Sequence, residues 1–395
     1  MNQKVTKRVT ATILSMSLLT VMAGAAIAPG LAVIKQHFAE APDILIQFIV
    51  SFPALFIIIT NIFFLQISRR FKTRTIAVTG LTLYVLAGSG CFFVNDIHVL
   101  LAMRALLGVS VGLIMPLSTG LLAYYFPPEE QARLMGLSAA MNQLGGVVAT
   151  LLAGLLVTVQ WNYTFLVYLL GLIALVMVFL WLPDEKLGSA NKRGVPFQPR
   201  QLLKFHPSVI GMLLLMMIFF VFPTNFAIIA AQQTNLSTDA ITIIMVGLDL
   251  VAFFVGLVFG NCMKWFRIPI KYFAPSFFAL GYAAYLHGSA LMIILGSVAI
   301  GIANGVGVPY LNTIASIKGG KNSATTVMPL LSAALYLGQF ISPIVVNPLS
   351  KALFGETDLT APYKVAIILC ALFLWQVWST RHFQSLPPKN SNHSK

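Results

Sequence analysis

One carboxylate lies deep inside an apolar stretch of the sequence. Asp249 stands about ten residues into an apolar run over 240–262, so at 1.5 Å per helical residue it lies near the middle of a bilayer-length helix. An ionised carboxylate in hydrocarbon is costly, so the neutral acid is favoured and a proton can be taken up and released there. This is the chemistry of a proton-coupling site. The alternatives are a permanently neutral, hydrogen-bonded acid or a structural pair with a distant base.

A single arginine also stands among apolar residues. Arg104 lies near the start of an apolar run over 97–124. Its guanidinium offers five donors to carbonyl or carboxylate partners, and its charge costs a few kcal/mol in lipid unless it faces a cavity or a partner. Arg104 is therefore a candidate functional residue; the alternatives are snorkelling towards the outer face or a tie to a neighbour's carbonyls. Gly108 and Gly112 lie four residues apart in the same apolar run and allow a neighbouring helix to approach closely.

The elements that position these residues are predicted by composition. Of the 395 residues, 58% are hydrophobic and 9% are charged, against roughly a quarter charged in soluble domains. Apolar runs long enough to span a bilayer fall in two sets of six: 10–34, 44–66, 76–94, 97–124, 132–159 and 162–182, then 208–231, 240–262, 271–287, 289–316, 323–349 and 361–381. The first run resembles a secretory signal but continues to Ile34, so we expect an uncleaved span.

The sequence therefore predicts an all-α integral membrane protein with twelve transmembrane helices in two pseudo-symmetric six-helix bundles. The predicted parts are an N-terminal bundle over 1–182, a polar cytoplasmic linker over 183–207, and a C-terminal bundle with a short tail over 208–395. A shift of 193 residues matches Gly108 with Gly301, Gly112 with Gly305 and Pro116 with Pro309. Equal orientation of the halves indicates parallel repeats about an axis along the membrane normal.

Basic residues set the orientation. With the N-terminus inside, every Lys and Arg lies in a cytoplasmic segment except Arg104 in the membrane and Lys35, Lys351 and Lys364 outside. Both termini are therefore expected in the cytoplasm. The net charge of +14 follows from this topology, so no nucleic-acid partner is expected.

Four stretches resemble the major facilitator superfamily, and in particular its bacterial twelve-helix drug/proton antiporters. L-Q-I-S-R-R-F-K-T-R over 65–74 resembles the basic loop motif G-x-x-x-D-R-x-G-R-R, with Arg70 and Arg74 matching and Arg69 in place of its aspartate. R-A-L-L-G-V-S-V-G resembles the fourth-helix motif, with Arg104 at the position of the motif's arginine. This resemblance implies that Arg104 takes part in proton coupling or substrate handling. The fifth-helix glycines and W-N-Y-T-F from Trp161 are similar to further family motifs.

The resemblance implies a secondary active transporter that works as a monomer by alternating access in a bacterial cytoplasmic membrane. It implies that Arg70 and Arg74 act as a conformational loop and that four helices line a central cavity. Those helices carry Pro29, Pro116, Pro223 and Pro309, which permit bending.

Cavity candidates come from these four helices and their neighbours. They share apolar or neutral hydrogen-bonding side chains: Met22, Met115, Phe219, Phe220, Phe222, Asn225, Asn304, Tyr310 and Asn312, with Asn142, Gln143, Tyr336 and Gln339 secondary. Met and Phe at helical spacing also serve as packing or lipid-facing residues. Because cationic side chains are lacking, a neutral or cationic amphipathic substrate fits better than a strong anion.

The predicted function is proton-coupled export of small amphipathic or apolar compounds, either drugs or a metabolite. The alternatives are proton-coupled uptake of a sugar or other nutrient, and a non-transporting receptor on the same fold. No phosphate-binding glycine loop is present, and His37, His98 and His287 lack metal-ligand spacing. Cys91, Cys262 and Cys370 show no disulfide or zinc pattern. We therefore expect neither an enzyme nor a cofactor or metal site.

Overall fold

Each long apolar run forms a helix, because helical backbone satisfies its own hydrogen bonds in lipid. The computed structural model describes residues 7–27, 31–186, 205–233, 238–267, 269–320 and 323–380. The α-helices are α1 Lys7–Ala25, α2 Leu31–His37, α3 Asp43–Arg70, α4 Thr73–Gly90, α5 Ile97–Tyr125, α6 Pro128–Val157, α7 Gly171–Trp181, α8 His206–Gln233, α9 Thr238–Trp265, α10 Ile270–His287, α11 Ala290–Gly319, α12 Ser323–Phe354 and α13 Ala361–Ser379. Two 3₁₀ helices cover Cys91–Phe93 and Trp161–Leu170.

The predicted all-α membrane fold is confirmed. Within the described ranges, 11 helical stretches are long and apolar enough to cross a membrane. The remaining long helix, α10, has 18 residues and is made less apolar by Lys271 and His287. With α10 the predicted set of twelve spans is complete. Large apolar side chains such as Phe179, Trp375 and Trp378 are more than half exposed, as expected for a surface that contacts lipid.

Two spans are less regular than their sequence pattern predicts. The first was expected to be one helix over 10–34, but α1 ends at Ala25 and α2 begins at Leu31. Proline removes a backbone donor and interrupts a helix, although Pro29 itself lies outside the described residues. The sixth was expected to be one helix over 162–182, but it begins with the 3₁₀ helix Trp161–Leu170. Aromatic and β-branched residues, which are weaker α-helix formers, fill this segment.

The helices pack as two sets joined by a shared interface. In the first half α5 contacts α1, α3 and α4, and α6 contacts α1. In the second half α11 contacts α9 and α10, and α12 contacts α8. The halves meet where α6 packs against α9 and α11, and where α12 packs against α3 and α5. The exact domain boundaries stay a prediction, and residues 187–204 of the predicted linker lie outside the described part of the chain.

The repeated glycines make equivalent contacts in the two halves. A Cβ atom placed on Gly112 of α5 would lie 2.6 Å from Cβ of Thr60 on α3. A Cβ atom placed on Gly305 of α11, its counterpart in the repeat, would lie 2.8 Å from the Ala252 carbonyl oxygen of α9. Close helix packing through small residues is therefore repeated between the halves.

Candidate functional site

Arg104 contacts the end of the first helix. Its side chain is fully buried, and Nη1 donates hydrogen bonds to the Ala23 carbonyl oxygen at 3.3 Å and to the Tyr168 hydroxyl at 2.8 Å. The Tyr168 hydroxyl in turn donates to the Ala23 carbonyl oxygen at 2.8 Å. The guanidinium carbon also lies 5.0 Å from the centre of the Phe165 ring, within cation–π range.

The break after α1 explains this cluster. The last carbonyls of a helix have no helical donors, and they carry the negative end of its dipole. Arg104 and Tyr168 bind the Ala23 carbonyl oxygen, and the Thr164 hydroxyl donates to that of Ala26 at 2.8 Å. The structure thus shows the tie to neighbouring carbonyls, while a part in proton coupling stays a prediction. Nε and Nη2 of Arg104 have no hydrogen-bond partner among the described residues.

Asp249 lies on the side of α9 that faces the first half. Gly256 and Gly260, seven and eleven residues further on, share its face of the helix and touch α6. The surface of α9 turned away from the bundle carries Phe254 and Val258, which are 60% and 49% exposed. Asp249 is half-buried, and none of the described residues forms an ion pair or a hydrogen bond with it. The carboxylate therefore faces the interface between the halves.

Neutral hydrogen bonds join the two halves at one end. The basic end is defined here as the end that carries the α3–α4, α5–α6 and α9–α10 connections. There the Ser316 hydroxyl of α11 donates to Gln131 Oε1 of α6 at 2.5 Å. Asn61 Nδ2 of α3 donates to the Ser332 hydroxyl of α12 at 2.8 Å. That hydroxyl donates to the Met115 sulfur of α5 at 3.2 Å.

These five residues, Gln131, Ser316, Asn61, Ser332 and Met115, form what we call the neutral gate. Sequence reasoning named only Met115, and assigned it to the cavity. The available signal was one polar residue on each of four spans, three residues from the basic end of the helix for Gln131 and Ser316 and nine residues from it for Asn61 and Ser332. Gln131 is additionally anchored, because Nε2 donates to the Phe126 carbonyl oxygen at 2.9 Å.

The basic loop makes its contacts within the first half. Arg74 Nε donates to the Leu182 carbonyl oxygen at 2.9 Å, and Lys72 Nζ lies 2.7 Å from Asp184 Oδ2. The Arg70 guanidinium lies 6.0 Å from the ring of its neighbour Phe71. These contacts join the α3–α4 connection to the segment after α7. The predicted conformational role of Arg70 and Arg74 stays a prediction.

Several apolar cavity candidates pack inside one half. The Phe222 ring lies 4.7 Å from that of Phe226, and the Phe219 ring lies 5.3 Å from that of Phe220 and 6.5 Å from that of Phe278. Met22 is fully buried on α1, next to the point where α6 comes closest.

Two polar candidates of the second half also make local contacts. Asn225 Nδ2 donates to its own helix, at the Val221 carbonyl oxygen, at 3.1 Å. Tyr310 lines a small cleft with Lys271 between α8, α10, α11 and α13.

The other polar candidates lie on helices that form the interface. Asn142 accepts a hydrogen bond from Thr20 at 3.0 Å, whereas Gln143 Nε2 is buried without a described partner. Asn304 is 6% exposed, and its Oδ1 is likewise unpartnered within the described part of the chain.

The last three candidates lie close to the neutral gate. Asn312 is buried one turn from Ser316 on α11. Tyr336 and Gln339 follow Ser332 by four and seven residues, on one face of α12. The structure thus distributes neutral amides and a phenol along the interface.

Comparisons with known proteins agree with this architecture. A family model described as Major Facilitator Superfamily matches residues 13–343. The quinolone resistance protein NorA of Staphylococcus aureus is 27% identical over 296 residues, which cover 69% of this chain and 71% of NorA. A shorter match, 34% identical over 89 residues, covers 22% of this chain and only 16% of "Probable anion transporter 4, chloroplastic" of Arabidopsis thaliana.

A solved structure has the same fold. The proton:xylose symporter XylE, bound to 6-bromo-6-deoxy-D-glucose, superposes with a TM-score of 0.76 at 17% identity, covering 95% of this chain and 96% of that chain. At this identity the similarity shows the fold alone.

Proposed function

Because this chain belongs to the Major Facilitator Superfamily of membrane transporters, we propose that it is a proton-coupled exporter of small amphipathic or apolar compounds. It works as a monomer by alternating access in a bacterial cytoplasmic membrane. The distribution of Lys and Arg supports cytoplasmic termini and a cytoplasmic basic end. The observation that carries the proposal is Asp249, a carboxylate near the middle of a span that faces the other half without a described partner.

The neutral gate supports an outward-facing state. With Gln131, Ser316, Asn61 and Ser332 bonded across the interface, the cytoplasmic end is held closed. Asp249 takes up a proton from outside in this state. A neutral acid is much less costly to enclose than a carboxylate, so protonation favours closure of the outer end. Proton release inside then accompanies binding of substrate from the cytoplasm.

Arg104 biases this cycle from the outer end of the first half. By holding the Ala23 carbonyl oxygen, it fixes the position at which the first span breaks. That break separates α1 from α2, the part of the span that must move when the outer end closes. The two residues therefore have separate tasks, Asp249 in proton binding and Arg104 in conformational bias.

The chemistry of the interface supports an apolar or cationic substrate. Its polar groups are mainly neutral amides such as Asn142, Gln143 and Asn304, and Asp249 would favour a cation. NorA, by its name a quinolone resistance protein, is consistent with such a cargo. A sugar or nutrient importer is the alternative, and a non-transporting receptor is a further one. A sugar site needs a denser set of hydrogen-bonding groups than these residues supply.

Everted membrane vesicles test direction and substrate class together. Vesicles that contain the protein and maintain an acid interior are given either ethidium, a small amphipathic cation, or radiolabelled xylose. We expect ethidium to accumulate inside, and we expect a protonophore to abolish the accumulation. Vesicles without the protein provide the control. Proton-driven xylose uptake into right-side-out vesicles, with no movement of ethidium, would establish the importer instead. A lack of flux for a panel of bound ligands would establish a receptor.

A further inference from the structure

Helices α6 and α9 belong to different halves and approach each other most closely through glycines. A Cβ atom on Gly136 of α6 would lie 2.6 Å from the Gly256 carbonyl oxygen of α9. A Cβ atom on Gly256 would lie 2.9 Å from the Gly136 carbonyl oxygen. Further towards the basic end, a Cβ atom on Gly260 would lie 2.8 Å from Cα of Arg133. Residue numbers thus rise on one helix as they fall on the other, so the pair is antiparallel.

This register places two polar residues opposite each other. Gln143 follows Gly136 by seven residues, and Asp249 precedes Gly256 by seven residues. Seven residues make about two helical turns, or roughly 10.5 Å, and return to the same face of a helix. Because the helices are antiparallel, both steps lead away from the basic end. Gln143 and Asp249 therefore lie at the same level on facing sides of α6 and α9.

Both side chains lack a described partner at this level. Gln143 Nε2 is buried without a hydrogen bond, and Asp249 has neither a hydrogen bond nor an ion pair within the described residues. Other charged and titratable residues occur on the helices packed against α9 and, among the described side chains, on α9 itself. All of them lie closer to the basic end than Gln143 and Asp249 do. They are Glu129, Glu130 and Arg133 on α6, Tyr310 and Lys318 on α11, His206 on α8, and Cys262 and Lys264 on α9.

We propose that Gln143 is the positioning residue for Asp249, and that their hydrogen bond crosses the boundary between the two halves during transport. An amide suits both protonation states, because its N–H donates to a carboxylate and its carbonyl oxygen accepts from a neutral acid. The proton on Asp249 therefore decides which hydrogen bond crosses the interface. This inference rests on the proposed function in that Asp249 carries the coupled proton.

The position of the pair explains how it senses movement. The glycine contact at Gly136 and Gly256 leaves no space between the helices, so it acts as the fulcrum when the halves rock. Gln143 and Asp249 lie about two turns from it, roughly 10.5 Å along each helix. A change in the angle between α6 and α9 thus alters their separation. The hydrogen bond forms or breaks with the alternation between states.

Cysteine cross-linking tests the juxtaposition independently of transport. In a variant with Cys91, Cys262 and Cys370 replaced by serine, Gln143→Cys is combined with Asp249→Cys or with Leu250→Cys. Leu250 is the next residue and is 37% exposed on another side of α9. We expect a short bifunctional thiol reagent to link the first pair at least about fivefold faster than the second. Equal rates, or no link in the first pair, would overturn the proposal whether or not Asp249 binds a proton.

The pH profile of transport tests the role of Gln143. Gln143→Leu removes the donor to the carboxylate, so we expect the midpoint of proton-coupled ethidium transport to move to higher pH by about one unit, a tenfold change in proton concentration. Ser138→Ala is the matched control on the same helix, because the buried Ser138 hydroxyl bonds to the Ser17 hydroxyl within the first half, and it leaves the midpoint unchanged. An unchanged midpoint in Gln143→Leu would remove Gln143 from the mechanism while the proposed function stands. A wild-type protein without any pH dependence would refute the proposed function itself.

Discussion

Removal of hydrogen bonds from the neutral gate should shift the protein towards a form that is open at the basic end. Ser316→Ala removes one hydrogen bond between the halves, and the double variant Ser316→Ala/Ser332→Ala removes three. Hydrogen bonds between membrane helices average about 0.6 kcal/mol. The single change should therefore destabilise the closed basic end by about 0.6 kcal/mol, and the double change by about 1.8 kcal/mol. At about 1.4 kcal/mol per factor of ten, these values correspond to about threefold and about twentyfold shifts towards the open form.

Spin labels read this equilibrium directly. Residues 129 and 318 are exposed near Gln131 and Ser316 on opposite sides of the gate. Pulsed electron paramagnetic resonance between labels there should show the population at longer distances growing by these factors. Ser342→Ala is the matched control, because the buried Ser342 hydroxyl donates to the Met217 carbonyl oxygen within the second half. A double variant whose distances match those of the control would refute the assignment of the gate.

Three further predictions concern stability, each measured by thermal unfolding of the purified protein. Arg104→Ala leaves a cavity and removes the Arg104 hydrogen bond to the Ala23 carbonyl oxygen, so we expect the free energy of unfolding to fall by about 2–4 kcal/mol. Unchanged stability would contradict the role of Arg104 at the end of α1. Gly256→Leu should lower the unfolding temperature by several degrees, because α6 leaves no space for the added side chain. Gly247→Leu should not, because no atom lies within 4 Å of a Cβ atom placed on Gly247. Equal effects of the two changes would disprove the close packing. Asp358 accepts a hydrogen bond from Lys364 at 2.6 Å, and this contact, with a second from the Thr360 hydroxyl, holds the pKa of Asp358 below its usual value. Its contribution, about 0.5 kcal/mol, is present above the unfolded pKa near 4 and is lost as pH falls through the lower folded value. Asp358→Asn should therefore destabilise the protein more at pH 7 than at pH 3, and the reverse order would contradict the assignment.

The long spans could be predicted from sequence because their apolar runs are long and uninterrupted. The run predicted over 97–124 is helix Ile97–Tyr125, and the one predicted over 289–316 is helix Ala290–Gly319. The glycine contacts of the repeat followed from residue type and spacing. The break after Ala25 and the 3₁₀ helix at the start of the sixth span could not be predicted in this way. Apolarity determines the length of a span, but it does not determine whether the helix is continuous or of the α or 3₁₀ type.

The contacts between helices required the structure. Ser316 and Gln131 are 185 residues apart, and nothing local in the sequence brings them together. Helix α8 is apolar on nearly all sides, so the pattern did not show that Phe219 and Phe222 turn into the second half. Asp249 was identifiable by its charge alone, but its orientation towards α6 follows from the glycine contacts of α9.

Proton movement in proteoliposomes tests the central claim most directly. Purified protein is reconstituted with a pH-sensitive dye in the lumen, and ethidium is added outside with the membrane potential clamped at zero. We expect protons to move opposite to ethidium in the wild-type protein. We expect the Asp249→Asn variant to bind ethidium but to move no protons with it. Proton movement in the variant equal to that in the wild type would show that Asp249 does not carry the coupled proton.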